Sequence, residues 1–125
     1  MLFDTDVLIW ALRGNEKAGG CIDKAATLYL SAVSYMELIK GARDKREQKA
    51  IKSFLRDLGF EHLPVTAAIS HRAVIYVEEF TLSSGLELAG ALIAATACEQ
   101  GIELCTANDK HYRVISDLSI CIFRP

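Results

Sequence analysis

A chain of 125 residues, 51% apolar and 24% charged, is long enough for one domain with a real core and too apolar to stay disordered. Its net charge of −2 gives no general attraction to nucleic acid, so any RNA contact must come from a local basic patch. No apolar run reaches the roughly 18 residues of a membrane span and no signal leader opens the chain, while Cys21, Cys98, Cys105 and Cys121 lack zinc spacing and read as reduced thiols of a cytoplasmic protein.

Leu2 and Phe3 are apolar and strand-like, and Asp4 follows at once. Thr5 or Asp6 then caps a helix carrying Val7, Leu8, Ala11 and Leu12, with Gly14 at its end. Residues 16–26 form a weaker helix, interrupted by Gly19 and Gly20, and residues 27–30 read as a second strand. Ser31 or Ser34 caps a helix with Met36, Glu37, Leu38 and Ile39 that ends near Gly41. Residues 44–58 are amphipathic: Ile51, Phe54, Leu55 and Leu58 share one face, and Lys45, Lys49, Lys52 and Arg56 share another.

Residues 60–65 give a third strand, with Pro64 marking its end or a sheet edge. Thr66 caps a helix with Ile69, Ala73, Tyr76, Val77 and Phe80 inward, and residues 81–85 read as a polar loop. Residues 88–100 are apolar nearly all round, so that helix is buried, and Gly101 stops it. A fourth strand at 102–105, a polar turn at 106–109 and a last strand at 119–123 complete the chain. Strands alternating with helices predict a parallel sheet covered on both faces, with right-handed crossovers.

That topology brings certain carboxylates to one sheet edge. Asp4 follows the first strand, Glu37 lies shortly after the second, and Asn108 and Asp109 follow the fourth. Ligands of open α/β sheets bind outside the carboxyl ends of the strands. Converging carboxylates repel one another unless a cation neutralises them, and hard oxygen ligands favour Mg²⁺ or Mn²⁺. Such an ion activates water and stabilises charge on a phosphate oxygen, which is phosphodiester hydrolysis. Taken singly, Asp4 also reads as a helix cap, Glu37 as a solvated helix residue, and Asn108 and Asp109 as turn residues. His62 and His71 have no spacing partners, and Trp10, Phe54, Tyr76 and Phe80 read as core or dimer-interface aromatics. There is no phosphate-binding glycine loop and no serine nucleophile motif. A receiver-like signalling domain would need a phosphoacceptor Asp after a central strand and a Lys after the last, and neither is present.

Three stretches, FDTDVLIW, SAVSYMELIKGA and LELAGALIAATACEQGIELCTANDKHY, resemble the acidic motifs of the PIN-domain ribonucleases, most closely the VapC-type toxins of bacterial toxin–antitoxin pairs. The resemblance covers most of the chain. It implies a three-layer α/β/α sandwich with a mainly parallel central sheet, a Mg²⁺ or Mn²⁺ site, metal-dependent endonucleolytic cleavage of RNA, homodimers, and a cognate antitoxin that binds helices in the region of the basic residues Lys40 to Arg56. By the same carry-over Asp4 is a metal ligand, Glu37 a ligand or water-orienting group, Asn108 a further ligand with Asp109 its neighbour, and Thr106 the residue that holds the turn. Asp6 matches a commonly polar position, and His111 packs near the site.

One position departs from the pattern. The family has Asp immediately before the Ala-Leu-Ile-Ala-Ala run, and here that residue is Gly90. Glycine supplies no side-chain oxygen and weakens a helix interior by about 1 kcal/mol relative to Ala, unless it is itself the N-cap. Glu87, three residues earlier, faces the same way only if the helix starts there. The expectation is weak metal binding and little activity, as in a disarmed nuclease or a degenerate member that works by binding protein or RNA. The basic face of Lys45, Lys49, Lys52 and Arg56 is a candidate RNA contact, interrupted by Glu47 and Asp57.

Overall fold

A computed structural model describes residues 1–125. It contains β1 (Leu2–Phe3), α1 (Thr5–Leu12), α2 (Glu16–Lys24), β2 (Tyr29–Ser31), α3 (Ala32–Gly41), α4 (Lys45–Leu58), β3 (Glu61–Leu63), α5 (Ala67–Ser84), α6 (Leu88–Gln100), β4 (Leu104–Thr106), α7 (Asp109–Tyr112) and β5 (Ile120–Ile122). The five strands form one sheet in the order β3-β2-β1-β4-β5, and every pairing is parallel. The expected mainly parallel sheet is therefore wholly parallel, and β3, which Pro64 follows, is an edge strand.

Strand alternation divides the core in two. Leu2 and Leu104 face a cluster built on Ile69, Ala73 and Tyr76 of α5 and on Ala91, Ile93, Ala94 and Ala97 of α6. Phe3, Leu30 and Cys105 face the opposite cluster, with Val7 and Leu8 of α1, Ile22 of α2, and Ile51 and Leu55 of α4. Helices on both faces of one sheet make the three-layer α/β/α sandwich. All four cysteines are free thiols. No helix is long and apolar enough to cross a membrane.

The capping chemistry explains most boundaries. Ser31, Asp44 and Thr66 accept backbone N–H groups at the starts of α3, α4 and α5. Gly59 and Gly101 end α4 and α6 at φ of 79° and 64°, which glycine adopts without a Cβ penalty. Three sequence expectations need correction. Asp4, rather than Thr5 or Asp6, is the N-cap of α1, its side chain accepting from Thr5 N–H. Residues 81–84 are not a loop but the last turn of α5, which runs on until Gly85 takes the left-handed conformation. Gly90 is not a cap either: α6 starts from Glu87 as N-cap, which puts Gly90 third in the helix. The turn after β4 closes into the short helix α7, which the sequence did not announce.

Candidate functional site

At the carboxyl ends of β1 and β4 lies a cleft of about 320 Å³. Asp4, Thr5, Asp6 and Ile9 of the β1–α1 junction line it, with Glu37 of α3, Leu86, Glu87, Ala89, Gly90 and Ile93 at the start of α6, and Asn108, His111 and Tyr112 around α7. Asp4, Glu37 and Asn108 thus meet, although 104 residues of sequence separate the first from the last.

Asp4 is only 6% exposed and is held from two sides. Its Oδ1 accepts from Thr5 N–H at 2.8 Å, and its Oδ2 accepts from the Thr106 hydroxyl at 2.7 Å. Burial, and then the neighbouring Asp6, push its carboxyl up to about 6 against the opposing pull of these donors and of the Tyr112 hydroxyl. Thr106 in turn accepts from Asn108 N–H at 2.9 Å, so one hydroxyl ties the buried acid to the turn that carries Asn108. Asp6 accepts from Ala107 N–H at 3.1 Å and from Val7 N–H at 2.7 Å, and burial raises its carboxyl too.

Glu37 is exposed at the mouth. The Thr5 hydroxyl lies 2.7 Å from Glu37 Oε1 and 2.9 Å from Ser34 Oγ. A carboxylate only accepts, so the single Thr5 proton goes to Glu37 and Ser34 supplies the second bond. Asn108 Nδ2 is 3.1 Å from His111 Nδ1. Sequence reasoning missed the Ser34–Thr5–Glu37 relay and the part of Tyr112. The SAVS of α3 and the Thr after Asp4 were visible, but nothing in their spacing announced that they touch.

Two sequence candidates lie elsewhere. Asp109 does not line the cleft: its carboxylate is bound to Arg124 at 2.8 Å and Arg113 at 3.0 Å, and the Arg124 guanidinium beside it holds its carboxyl below the usual range. Lys45, Lys49, Lys52 and Arg56 are exposed on α4, and none of them lines the cleft. Between α1, α3 and α4 runs a second, larger groove of about 800 Å³, lined by Leu12, Leu38, Ala50 and Ile51 with Arg13 and Arg43, and sharing Ile9 and Glu37 with the cleft.

The residues present do not assemble a complete acidic metal cage. No group of three His, Cys, Asp or Glu side chains is placed to hold one ion. The carboxylates that line the cleft are those of Asp4, Asp6, Glu37 and the outlying Glu87, joined by the Asn108 amide and the hydroxyls of Thr5 and Tyr112. At Gly90, where the resemblance leads to the expectation of a carboxylate, the chain offers only backbone.

A family model for the PIN domain matches residues 1–117. The chain is 34% identical over 122 residues to Ribonuclease VapC10 of Mycobacterium tuberculosis, covering 94% of this chain and 90% of that protein. Among solved structures, a toxin–antitoxin complex from Klebsiella pneumoniae contains a chain that superposes with a TM-score of 0.80 at 27% identity, covering 94% of this chain and 93% of that one. VapBC-1 from nontypeable Haemophilus influenzae superposes with a TM-score of 0.81 at 20% identity, over 97% and 96% of the two chains, a likeness of fold.

Proposed function

Since the chain belongs to the PIN-domain family and, within it, to the VapC-type proteins, we propose that it is the toxin of a toxin–antitoxin pair and that its cleft is built to cut RNA phosphodiesters in the cytoplasm. The observation that carries this reading is the meeting of Asp4, Glu37 and Asn108, from three distant segments, in one cleft at the carboxyl edge of the parallel sheet. The resemblance implies a Mg²⁺ or Mn²⁺ cofactor, which Asp4, Glu37 and Asn108 would hold short of one carboxylate and which would supply charge stabilisation at the scissile phosphate.

The chain's own residues divide the remaining work. Asp4, locked by Thr5 N–H and the Thr106 hydroxyl, is the carboxyl group held in one orientation at the cleft floor. Glu37 is the accessible carboxylate, and with its Oε1 held by Thr5 it orients a water at the mouth. Asn108 positions the substrate through its amide, its own backbone held by Thr106. The basic face of α4 carries the RNA backbone towards the cleft. The groove between α1, α3 and α4 receives the antitoxin, since helices of this region serve that purpose in the resembling toxins. A homodimer is part of the same proposal.

The missing acid at position 90 makes this chain a weak nuclease. Cleavage of an RNA pool in Mn²⁺ should rise about tenfold or more in Gly90→Asp, within the range by which metal-site partners alter activity, and fall to background in Gly90→Asp with Asp4→Ala. If neither form cuts while both still bind a partner, the enzyme reading fails. The second reading, a PIN-type module that acts by binding alone, then takes its place; it is favoured by the absence of any group of three acidic, His or Cys side chains placed to hold one ion.

A further inference from the structure

Asn108 stands at the N-cap of α7, with φ −103° and ψ 41°, yet its side chain caps nothing. An asparagine at that place ordinarily spends its amide oxygen on an N–H of the helix. Here the residue lines the cleft instead, so other groups must hold the turn. The Ala107 N–H donates to Asp6 Oδ2 at 3.1 Å, and the Asn108 N–H donates to Thr106 Oγ1 at 2.9 Å. The Asn108 carbonyl accepts from His111 N–H at 3.1 Å. The remaining backbone group of the pair, the Ala107 carbonyl, accepts from Arg124 Nη1 at 3.0 Å. The same guanidinium donates from Nη2 to Asp109 Oδ1 at 2.8 Å. Arg124 does not line the cleft, so it brackets Asn108 from outside, gripping the residue before it and the residue after it.

The fold delivers Arg124 to that place. β5 pairs with β4 in the register Thr106↔Ile122, and Phe123 N–H donates to the Thr106 carbonyl at 2.8 Å. Phe123 is buried in the core, so the residue before Arg124 is anchored. A guanidinium presents its donors in a rigid planar fork, which an ammonium does not reproduce. Neutralising Asp109 would need no contact with Ala107. Arg113 shows this: it pairs with Asp109 Oδ2 at 3.0 Å, and its guanidinium makes that one bond. The two arginine side chains share a carboxylate and a similar exposure, 60% for Arg124 and 67% for Arg113, and differ in the grip on Ala107.

We propose that Arg124 is the positioning residue of Asn108: by clamping residues 107 and 109 it keeps the Asn108 amide in one place in the cleft. Arg124 acts only through that turn. Its part in cleavage rests on the reading of Asn108 as a working group of a PIN-type site.

Asn15 and Asn108 are the only asparagines, so protein carrying isotope-labelled asparagine gives two side-chain amide signals in NMR, each with its backbone N–H. Asn15→Ser, which keeps a cap on α2, tells them apart. Exchange of the Asn108 N–H and the position of its side-chain signal are compared in the full chain, in Arg124→Ala and in Arg113→Ala. Arg124→Ala is expected to speed exchange about tenfold or more, the effect of one lost charge-assisted hydrogen bond, and to shift the side-chain signal. Arg113→Ala should leave exchange within about twofold, since an exposed ion pair contributes little. Equal effects in the two, or none in Arg124→Ala, reduce Arg124 to a counter-ion of Asp109 and overturn the proposal. Arg124→Lys keeps the charge and loses the fork; it is expected to follow Arg124→Ala, and it is read in its place if that chain does not fold. In Gly90→Asp with Mn²⁺, adding Arg124→Ala should lower kcat for RNA cleavage about tenfold with KM unchanged, and adding Arg113→Ala should not. A loosened Asn108 in a Gly90→Asp chain that cuts no RNA sinks the nuclease reading and keeps this one; cleavage indifferent to Arg124→Ala does the reverse.

Discussion

Asp4 shows how one residue takes two roles that its sequence context offers as alternatives. It is the N-cap of α1 and also the buried carboxylate of the cleft. Capping a helix places the acid at the positive end of the dipole, which favours its charge, but burial and Asp6 outweigh that and raise the carboxyl from 3.8 to about 6. An acid whose folded value is raised binds more protons folded than unfolded in that interval, so its contribution to stability is complete below pH 3.8 and is lost as pH rises through about 6. Asp6, raised in the same direction, adds to the slope. In chelator-treated protein the melting temperature should fall from about pH 4 to pH 7, and Asp4→Asn should flatten most of that fall. A slope that Asp4→Asn leaves untouched would assign it to other groups.

At the scale of elements, what could be read from the sequence was whatever is local and periodic. The two faces of α4 and its Gly59 stop were visible, because each depends on spacing within one helix, while Asp44, read as its first residue, is its N-cap. So was the buried α6, whose apolar run needs no partner to be recognised. The end of α5 was misread because Thr81, Ser83 and Ser84 look like loop residues, whereas Thr81 and Ser84 bond their hydroxyls to nearby carbonyls and let the helix continue to Gly85. The four-residue α7 has no period to detect, and with it went the pairing of Asp109 with Arg113 and Arg124 away from the cleft. α4 also frames a prediction about substrate. If its exposed lysines track an RNA strand, Lys49→Ala and Lys52→Ala should each reduce the dependence of log affinity on log salt by about 0.7, the value for one phosphate contact on a single strand. Binding measured from low to moderate salt decides the matter: an unchanged slope takes this face out of the RNA path.

The whole molecule sets the conditions under which the cleft exists at all. Its lining comes from residues 4 to 112, so none of the separate segments carries it, and it forms only when β1 is flanked by β2 and β4. The parallel topology was legible in the alternation of strands and helices, and with it the edge where the acids would meet; the strand order was not, since it depends on contacts far apart in sequence. β1 is the central strand and has only two residues, Leu2 and Phe3, each 0% exposed and each committed to a different core. The Phe3 ring meets Phe60 edge to face at 5.7 Å. Because Asp4 follows Phe3 directly, anchoring the ring anchors the carboxylate. Phe3→Ala should cost about 3–5 kcal/mol through lost burial and the cavity left behind, a large share of the stability of a domain this size. Thermal or urea unfolding followed by circular dichroism should therefore show the whole chain loosening in one transition, with partner and RNA binding lost together. Asp4→Asn, one residue away, should leave that transition cooperative, altering its dependence on pH and the chemistry of the cleft. A Phe3→Ala chain of unchanged stability would mean that the central strand is not what holds the acidic edge in place.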